Sequence, residues 1–312
     1  MQEAQLIKDI VGNIEKVIIG KNEEIYNIIK GIIANGHILI EDVPGVGKTT
    51  LVKALAKSLN LSYNRIQFTP DLLPSDITGV SIYNQREMQF EFRRGPVFSN
   101  IVLADEINRT SPKTQSALLE VMEEQQVSEG NNTYKLDSPF FVLATQNPIE
   151  YEGTFTLPEA QLDRFMIKVR LGYPNAMAEM KILETYRAND PIEDLESVAT
   201  REDILELHKR VRNIHVANEI NQYIVDIVNT TRKNNCITLG ASTRASLALL
   251  RIAQAAALIK GRDFVLPDDV KDNTTLVLSH RVTLSALGRA NGYNGESVIK
   301  YILSTVPTPV VK

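Results

Sequence analysis

Cysteine is almost missing from this chain: Cys236 is the single one in 312 residues. That excludes an intramolecular disulfide and points to a reducing, cytoplasmic compartment. Cys236 stands between Asn235 and Ile237 without catalytic neighbours and reads as structural. Histidine is scarce as well. His37, His208, His215 and His280 are scattered, without the clustering of a zinc site. Long apolar runs are also lacking. The longest apolar region, 246–259, contains Arg251 and Gln254 and is too short for a membrane span. The N-terminal segment carries Glu3 and Lys8 within an amphipathic pattern of Leu6, Ile7, Ile10, Val11 and Ile14. It reads as a surface helix, not a signal peptide. Nor is there a basic excess: the net charge is −4, so no global field favours nucleic acid. What remains is an ordinary composition, 43% hydrophobic and 23% charged, in a length suited to about two domains.

The most informative stretch is His37-Ile-Leu-Ile-Glu-Asp-Val-Pro-Gly-Val-Gly-Lys-Thr-Thr50. A short apolar strand leads into a glycine-rich loop, and Leu51, Val52, Leu55 and Leu59 then follow at helical spacing. Gly45 and Gly47 let backbone N–H groups turn around an anion, Lys48 reaches terminal phosphates, and the Thr49 hydroxyl suits Mg²⁺. The helix start adds a favourable dipole. Asp42 stands where the strict pattern has glycine; aspartate tolerates turn geometry, but its carboxylate must point away from phosphate.

A second strand, Asn100-Ile-Val-Leu-Ala-Asp-Glu-Ile-Asn-Arg109, ends in two acids. A bound nucleotide needs one carboxylate near magnesium, the role of Asp105, and another to orient or deprotonate water, the role of Glu106. A third strand, Phe140-Phe-Val-Leu-Ala-Thr-Gln-Asn147, places Asn147 where an amide could hold the attacking water or the γ-phosphate. Taken alone, Asn147 followed by proline is also an ordinary turn signal.

With these strands in order, the chain resembles the AAA+ ATPases, and within them the MoxR family. The resemblance covers nearly the whole chain. It is carried by Asp42-Val-Pro-Gly-Val-Gly-Lys-Thr49, Leu103-Ala-Asp-Glu-Ile-Asn-Arg109, Ala144-Thr-Gln-Asn-Pro148, Leu157-Pro-Glu-Ala-Gln-Leu-Asp-Arg-Phe165 and Gly240-Ala-Ser-Thr-Arg244. It implies an α/β fold: a P-loop NTPase with a parallel sheet core over residues 1–174, followed by a smaller all-α lid over 175–312. It implies ATP and Mg²⁺ as cofactors, with contacts at Gly20, Asp42, Val43, Pro44, Gly45, Val46, Gly47, Lys48, Thr49, Thr50 and Asp105. Thr49 and Asp105 would hold the metal. Val17-Ile-Ile-Gly-Lys21 would pack near the adenine.

The catalytic set implied is Glu106, Asn147 as sensor 1, Arg164 as arginine finger and Arg244 as sensor 2. Without the resemblance, Arg164 reads as an ion-pair partner of Asp163 or Glu159, and Arg244 as a solvated charge near a helix start. Which subunit's nucleotide Arg244 serves stays open. Thr243 stands where the family often has proline.

Strands are expected near 37–41, 63–68, 100–104, 140–145 and 166–171. Two hairpins are expected at 79–95 and 127–136, with Phe90 and Phe92 available to a partner and dispensable for folding. Beyond Pro174 almost everything reads as helix: 176–187, 201–212, 218–233, 244–260 and 267–275. Thr200 suits a helix cap with Asp203 three residues on, and Pro267 suits a first turn. Residues 301–306 read as either a strand or a helix end.

The resemblance implies a ring-forming, hexameric, chaperone-like ATPase that remodels or matures a partner protein, with a von Willebrand A domain as the implied partner class. The rivals are a nucleotide-switched binding module with slow hydrolysis and a nucleic-acid translocase.

Overall fold

A computed structural model describes residues 2–43, 45–147, 154–187 and 190–310. The chain opens with two amphipathic helices, α1 (Gln2–Glu15) and α2 (Asn22–Ile33). Each places isoleucines at helical spacing on one face, and Ile7, Ile10, Ile14, Ile25, Ile28, Ile29 and Ile32 are all buried.

The segments that follow alternate between strand and helix. They are β1 (His37–Glu41), α3 (Lys48–Ser58), β2 (Tyr63–Gln67), α4 (Pro74–Thr78), β3 (Gly79–Asn84), β4 (Gln89–Arg94) and β5 (Ile101–Asp105). After a 3₁₀ turn at Ile107–Arg109 come α5 (Pro112–Glu124), β6 (Gln126–Glu129), β7 (Asn132–Lys135), β8 (Phe141–Gln146), α6 (Glu159–Leu162) and β9 (Phe165–Val169).

Five of these strands form one sheet in the order β2-β5-β8-β1-β9, and every pairing is parallel. The pattern of burial follows from that order. β5 is buried throughout and β8 nearly so, because helices cover both faces of the central strands. β2 lies at an edge, and only Ile66 of its five residues is buried. All five expected sheet strands are present, with ends shifted by one or two residues.

Both expected hairpins form as separate two-stranded ribbons, β3–β4 and β6–β7. They differ from expectation in one respect. Phe90 is 74% exposed, but Phe92 is half-buried and stacks on Tyr134 of the other ribbon, with centroids 4.3 Å apart. The two phenylalanines share a face of β4, and only its base is covered by the protein. Phe92 is therefore a packing residue.

Beyond Pro174 the chain continues as α7 (Ala176–Thr185), α8 (Arg201–Asn213), α9 (Asn218–Lys233), β10 (Ile237–Leu239), α10 (Thr243–Ile259), α11 (Pro267–Leu278), β11 (Thr283–Leu284), α12 (Ala286–Ala290) and α13 (Gly295–Thr305). Thr200 and Asp203 cap α8 reciprocally, and Pro267 opens α11. β10 and β11 add a short antiparallel ribbon to this mostly helical part, and residues 301–305 take the helical alternative, as the end of α13.

The change in pattern at Pro174 does not divide the apolar core. Ile28 and Ile32 of α2, Leu55 of α3, and Leu249, Ile252 and Ala253 of α10 belong to one continuous cluster. Asn13 on α1 fastens the same junction, donating to Ser58 Oγ at 2.9 Å and to the Glu196 carbonyl at 2.8 Å. Among the described residues no helix is long and apolar enough to cross a membrane.

Candidate active site

The phosphate-type loop joins β1 to α3. Gly45 and Gly47 have φ of +83° and +85°, a region that side-chain-bearing residues adopt only with strain. A Cβ at either glycine would meet nothing within 4 Å, so conformation rather than space requires glycine there. Gly47 caps α3 without a side-chain hydrogen bond. The first-turn N–H groups of Lys48, Thr49 and Thr50 thus have no capping side chain, which suits an anion. The Lys48 ammonium arches back to donate to the carbonyls of Asp42 at 3.0 Å and Val43 at 3.2 Å. Pro44 lies outside the described residues, and Val46 is half-buried against the core.

Asp42 takes the orientation its chemistry demands. One carboxylate oxygen accepts from the Val43 N–H at 2.9 Å and the other from the Gly172 N–H at 2.6 Å. The charge is turned toward the segment after β9 and held there. Gly20 lies against the same connection: a Cβ on it would come within 2.6 Å of the Ala178 Cβ on α7. Neighbouring Lys21 donates to the carbonyls of Leu171 and Tyr173. The Val17–Lys21 segment is thereby docked beside the loop.

Strand order brings the acids alongside. β8 lies between β1 and β5, so Asn147, just past β8, lies about one strand spacing, ~4.8 Å, from each neighbour's exit. Asn147 is buried. Asp105 ends β5 and is also buried. It accepts from the Thr145 hydroxyl at 2.6 Å and from Arg65 Nη2 at 2.7 Å, which fixes the direction of its carboxylate. Glu106 adopts φ +59°, the left-handed region, and its N–H donates to Thr145 Oγ1 at 2.8 Å. Its carboxylate accepts from Gln67 Nε2 at 2.7 Å and lies 3.4 Å from Arg109 Nε. Loop, acids and amide therefore share one edge of the sheet.

The two arginines lie elsewhere. β9 runs parallel to β1 with Phe165 opposite His37, so Arg164 stands at the strands' entry end. Lys48 lies past their exit end, and the five residues of β1 alone span about 16 Å. Arg164 pairs with Glu123 near the end of α5, and Arg244 donates to the same carboxylate at 2.6 Å. The expected alternative partners of Arg164 do not hold it: Asp163 pairs instead with Arg281 at 2.9 Å.

Sequence reading missed Arg65, Gln67, Thr145 and Glu123. A signal for the first two was available. Tyr63-Asn-Arg-Ile-Gln67 is too polar for a central parallel strand, and its polar residues fall beside the acids once β2 pairs with β5.

His37 is structural. His37 Nε2 bonds the Met122 carbonyl at 3.0 Å while Nδ1 accepts from the Val142 N–H at 3.0 Å, and burial pushes its pKa down to about 4. Among the described residues no cluster of metal-ligating side chains is present.

Comparison with known proteins agrees with this geometry. Residues 37–167 match the ATPase family associated with various cellular activities (AAA), and residues 229–302 match the AAA lid domain. The chain is 40% identical to chaperone MoxR1 of Mycobacterium tuberculosis, over 99% of this chain and 84% of that protein. It is 51% identical to the uncharacterized protein YeaC of Bacillus subtilis, over 98% of this chain and 95% of that one. A crystal structure of a presumed ATPase from Cytophaga hutchinsonii superposes with a TM-score of 0.92 at 42% identity, covering 99% of this chain and 96% of that chain. With a parallel sheet, a phosphate-type loop and a helical lid in this order, the chain belongs to the MoxR family of AAA+ ATPases.

Proposed function

We propose that this chain hydrolyses ATP at sites shared between neighbouring subunits of a ring, and uses the cycle to remodel a partner protein. The observation that carries this reading is the separation of the two halves of the site. Loop, acids and amide gather at one edge of the sheet, while Arg164 and Arg244 gather on Glu123 at the other end. A guanidinium so far from its own loop is useful to a phosphate only across a subunit boundary, as in the heterologous contacts that close rings.

In this reading the N–H groups from Gly45 to Thr50 and the Lys48 ammonium cradle the β- and γ-phosphates. Gly20 and its neighbours border the base. Thr49 and Asp105 fit a hard, oxygen-seeking cation, since they offer a hydroxyl and a buried carboxylate oriented by Arg65 and Thr145. Magnesium held there would neutralise phosphate charge. Glu106 accepts the proton of the attacking water, Asn147 holds that water or the γ-phosphate, and the neighbour's Arg164 and Arg244 stabilise charge on the γ-phosphoryl oxygens. Asp42, turned to Gly172, orders the loop rather than touching phosphate.

A hexamer, a von Willebrand A-domain partner and a cytoplasmic location are the matching expectations for the assembly. The chaperone name of the mycobacterial relative supports a protein substrate. The exposed tip of β3–β4, with Tyr83, Met88 and Phe90, is the surface offered to it. A nucleotide-switched binder with slow hydrolysis is the second reading, favoured by the Gln67 bond that holds Glu106 in place.

Fluorescent-nucleotide titration beside a phosphate-release assay tests the core of the proposal. Lys48→Ala should lose tight nucleotide binding, and Glu106→Gln should bind ATP normally without turning it over. Normal turnover by Glu106→Gln would overturn the assignment of the base.

A further inference from the structure

Glu123 gives each of its carboxylate oxygens to a different arginine. Oε2 pairs with Arg164, which also donates to the Leu119 carbonyl at 2.9 Å, and Oε1 accepts from Arg244 at 2.6 Å. One arginine comes from the turn before β9, the other from the first turn of α10. Two like charges brought together in this way repel unless an anion lies between them. Glu120 and Glu124 border the same shallow hollow, yet the ion pairs formed among the described residues go to Glu123.

The main chains beneath these side chains are fixed independently. Asp163, just before Arg164, accepts from Arg281 Nε at 2.9 Å and from the Ser242 hydroxyl at 2.8 Å. Ser242 in turn caps α10, two residues before Arg244. Arg281 is buried and also donates to the carbonyls of Phe165 and Met166. Backbone position is thus set by Asp163 and Arg281, and the two long side chains are directed by the Glu123 carboxylate they share, with the Leu119 carbonyl as a second acceptor for Arg164. Such side chains have many rotamers of similar energy, and holding them in one geometry before reaction is worth rate.

We infer that Glu123 is a positioning residue for hydrolysis at the neighbouring subunit's site, aiming Arg164 and Arg244 together at its γ-phosphate. The inference rests on the proposal that these arginines act across the boundary. α5 carries Glu123 and begins just after the chain's own Asp105 and Glu106, so one rigid helix about 20 Å long spans from this subunit's acids to the arginines it lends.

The test uses full-length chain in mixed rings. Glu123→Ala removes a half-exposed side chain, so its melting temperature should match wild type. Its kcat should fall about tenfold, with its own nucleotide affinity within about twofold. Lys48→Ala subunits retain Glu123 and both arginines. Mixing them with Glu123→Ala, with subunit exchange verified, should raise the rate per total protein above that of Glu123→Ala alone. Glu123→Asp, charged but one methylene short, should recover part of the rate. A wild-type or faster rate in Glu123→Ala overturns the inference, the latter because Glu123 would then be competing for the arginines. Failure of Lys48→Ala to rescue Glu123→Ala, while rescuing Arg164→Ala, overturns it too. Failure to rescue either variant sinks the intersubunit reading itself.

Discussion

Gln67 donates its side-chain amide to the Glu106 carboxylate at 2.7 Å, and its own carbonyl accepts from Arg65 at 2.6 Å. Because Arg65 also bonds Asp105, the amide is oriented by the same network that aims the metal-side acid. In this arrangement the proposed base is already occupied by a donor. The bond takes one oxygen, Oε2, and holds the carboxylate toward β2, so Glu106 turns freely toward water only when that bond is released.

Removing the donor should therefore speed basal hydrolysis. Gln67→Leu is expected to raise kcat about tenfold, the equivalent of ~1.4 kcal/mol, near the low end for one hydrogen bond to a charged group. Steady-state phosphate release at saturating ATP measures it. A fall in kcat would mean that Gln67 holds Glu106 in its working position instead.

The two ribbons make separable predictions. Phe92→Ala removes the stack on Tyr134 and a half-buried contact with the core, and should destabilise the fold by about 2 kcal/mol. Phe90→Ser should leave thermal unfolding unchanged, since Phe90 is 74% exposed, and act on partner capture alone. Equal melting temperatures for the two variants would remove the distinction.

Acid should unfold the protein through its histidines. Burial depresses His37 and His208 to about 4 and His280 well below the ordinary value near 6.5. The folded state keeps them neutral, so below about pH 6.5 the unfolded chain binds more protons. Stability is full above that point and falls as the pH drops toward 4, by an amount on the order of 3 kcal/mol for His37 over the whole window. Denaturant midpoints between pH 7.5 and 5 would show this slope. His208→Gln, which retains a donor for the Ile32 carbonyl, should flatten it. An unchanged slope would place the acid sensitivity elsewhere.

The phosphate-type loop, the acidic pair and the five strands of the parallel sheet were legible from residue patterns, because apolar runs and glycines report local conformation directly. The hidden parts depend on which strands and helices become neighbours. Thr145 lay inside a recognised motif, yet its hydroxyl finds Asp105 only because β8 pairs with β5. Glu123 looked like one of several glutamates on a helix, and its distinction arises from two arginines delivered by remote segments. Phe92 was misjudged for a similar reason: alternation in β4 gives its face, whereas the covering ring comes from the other ribbon.

The central claim is that each nucleotide is completed by the next subunit, and mixing two dead variants tests it most directly. Arg164→Ala alone should bind ATP but hydrolyse it poorly, and Lys48→Ala alone should be inactive. In an equal mixture with verified subunit exchange, roughly a quarter of the boundaries join an intact loop to an intact arginine. The account predicts that ATPase activity returns on mixing and peaks near equal proportions. A flat response across all mixing ratios, despite exchange, would contradict it.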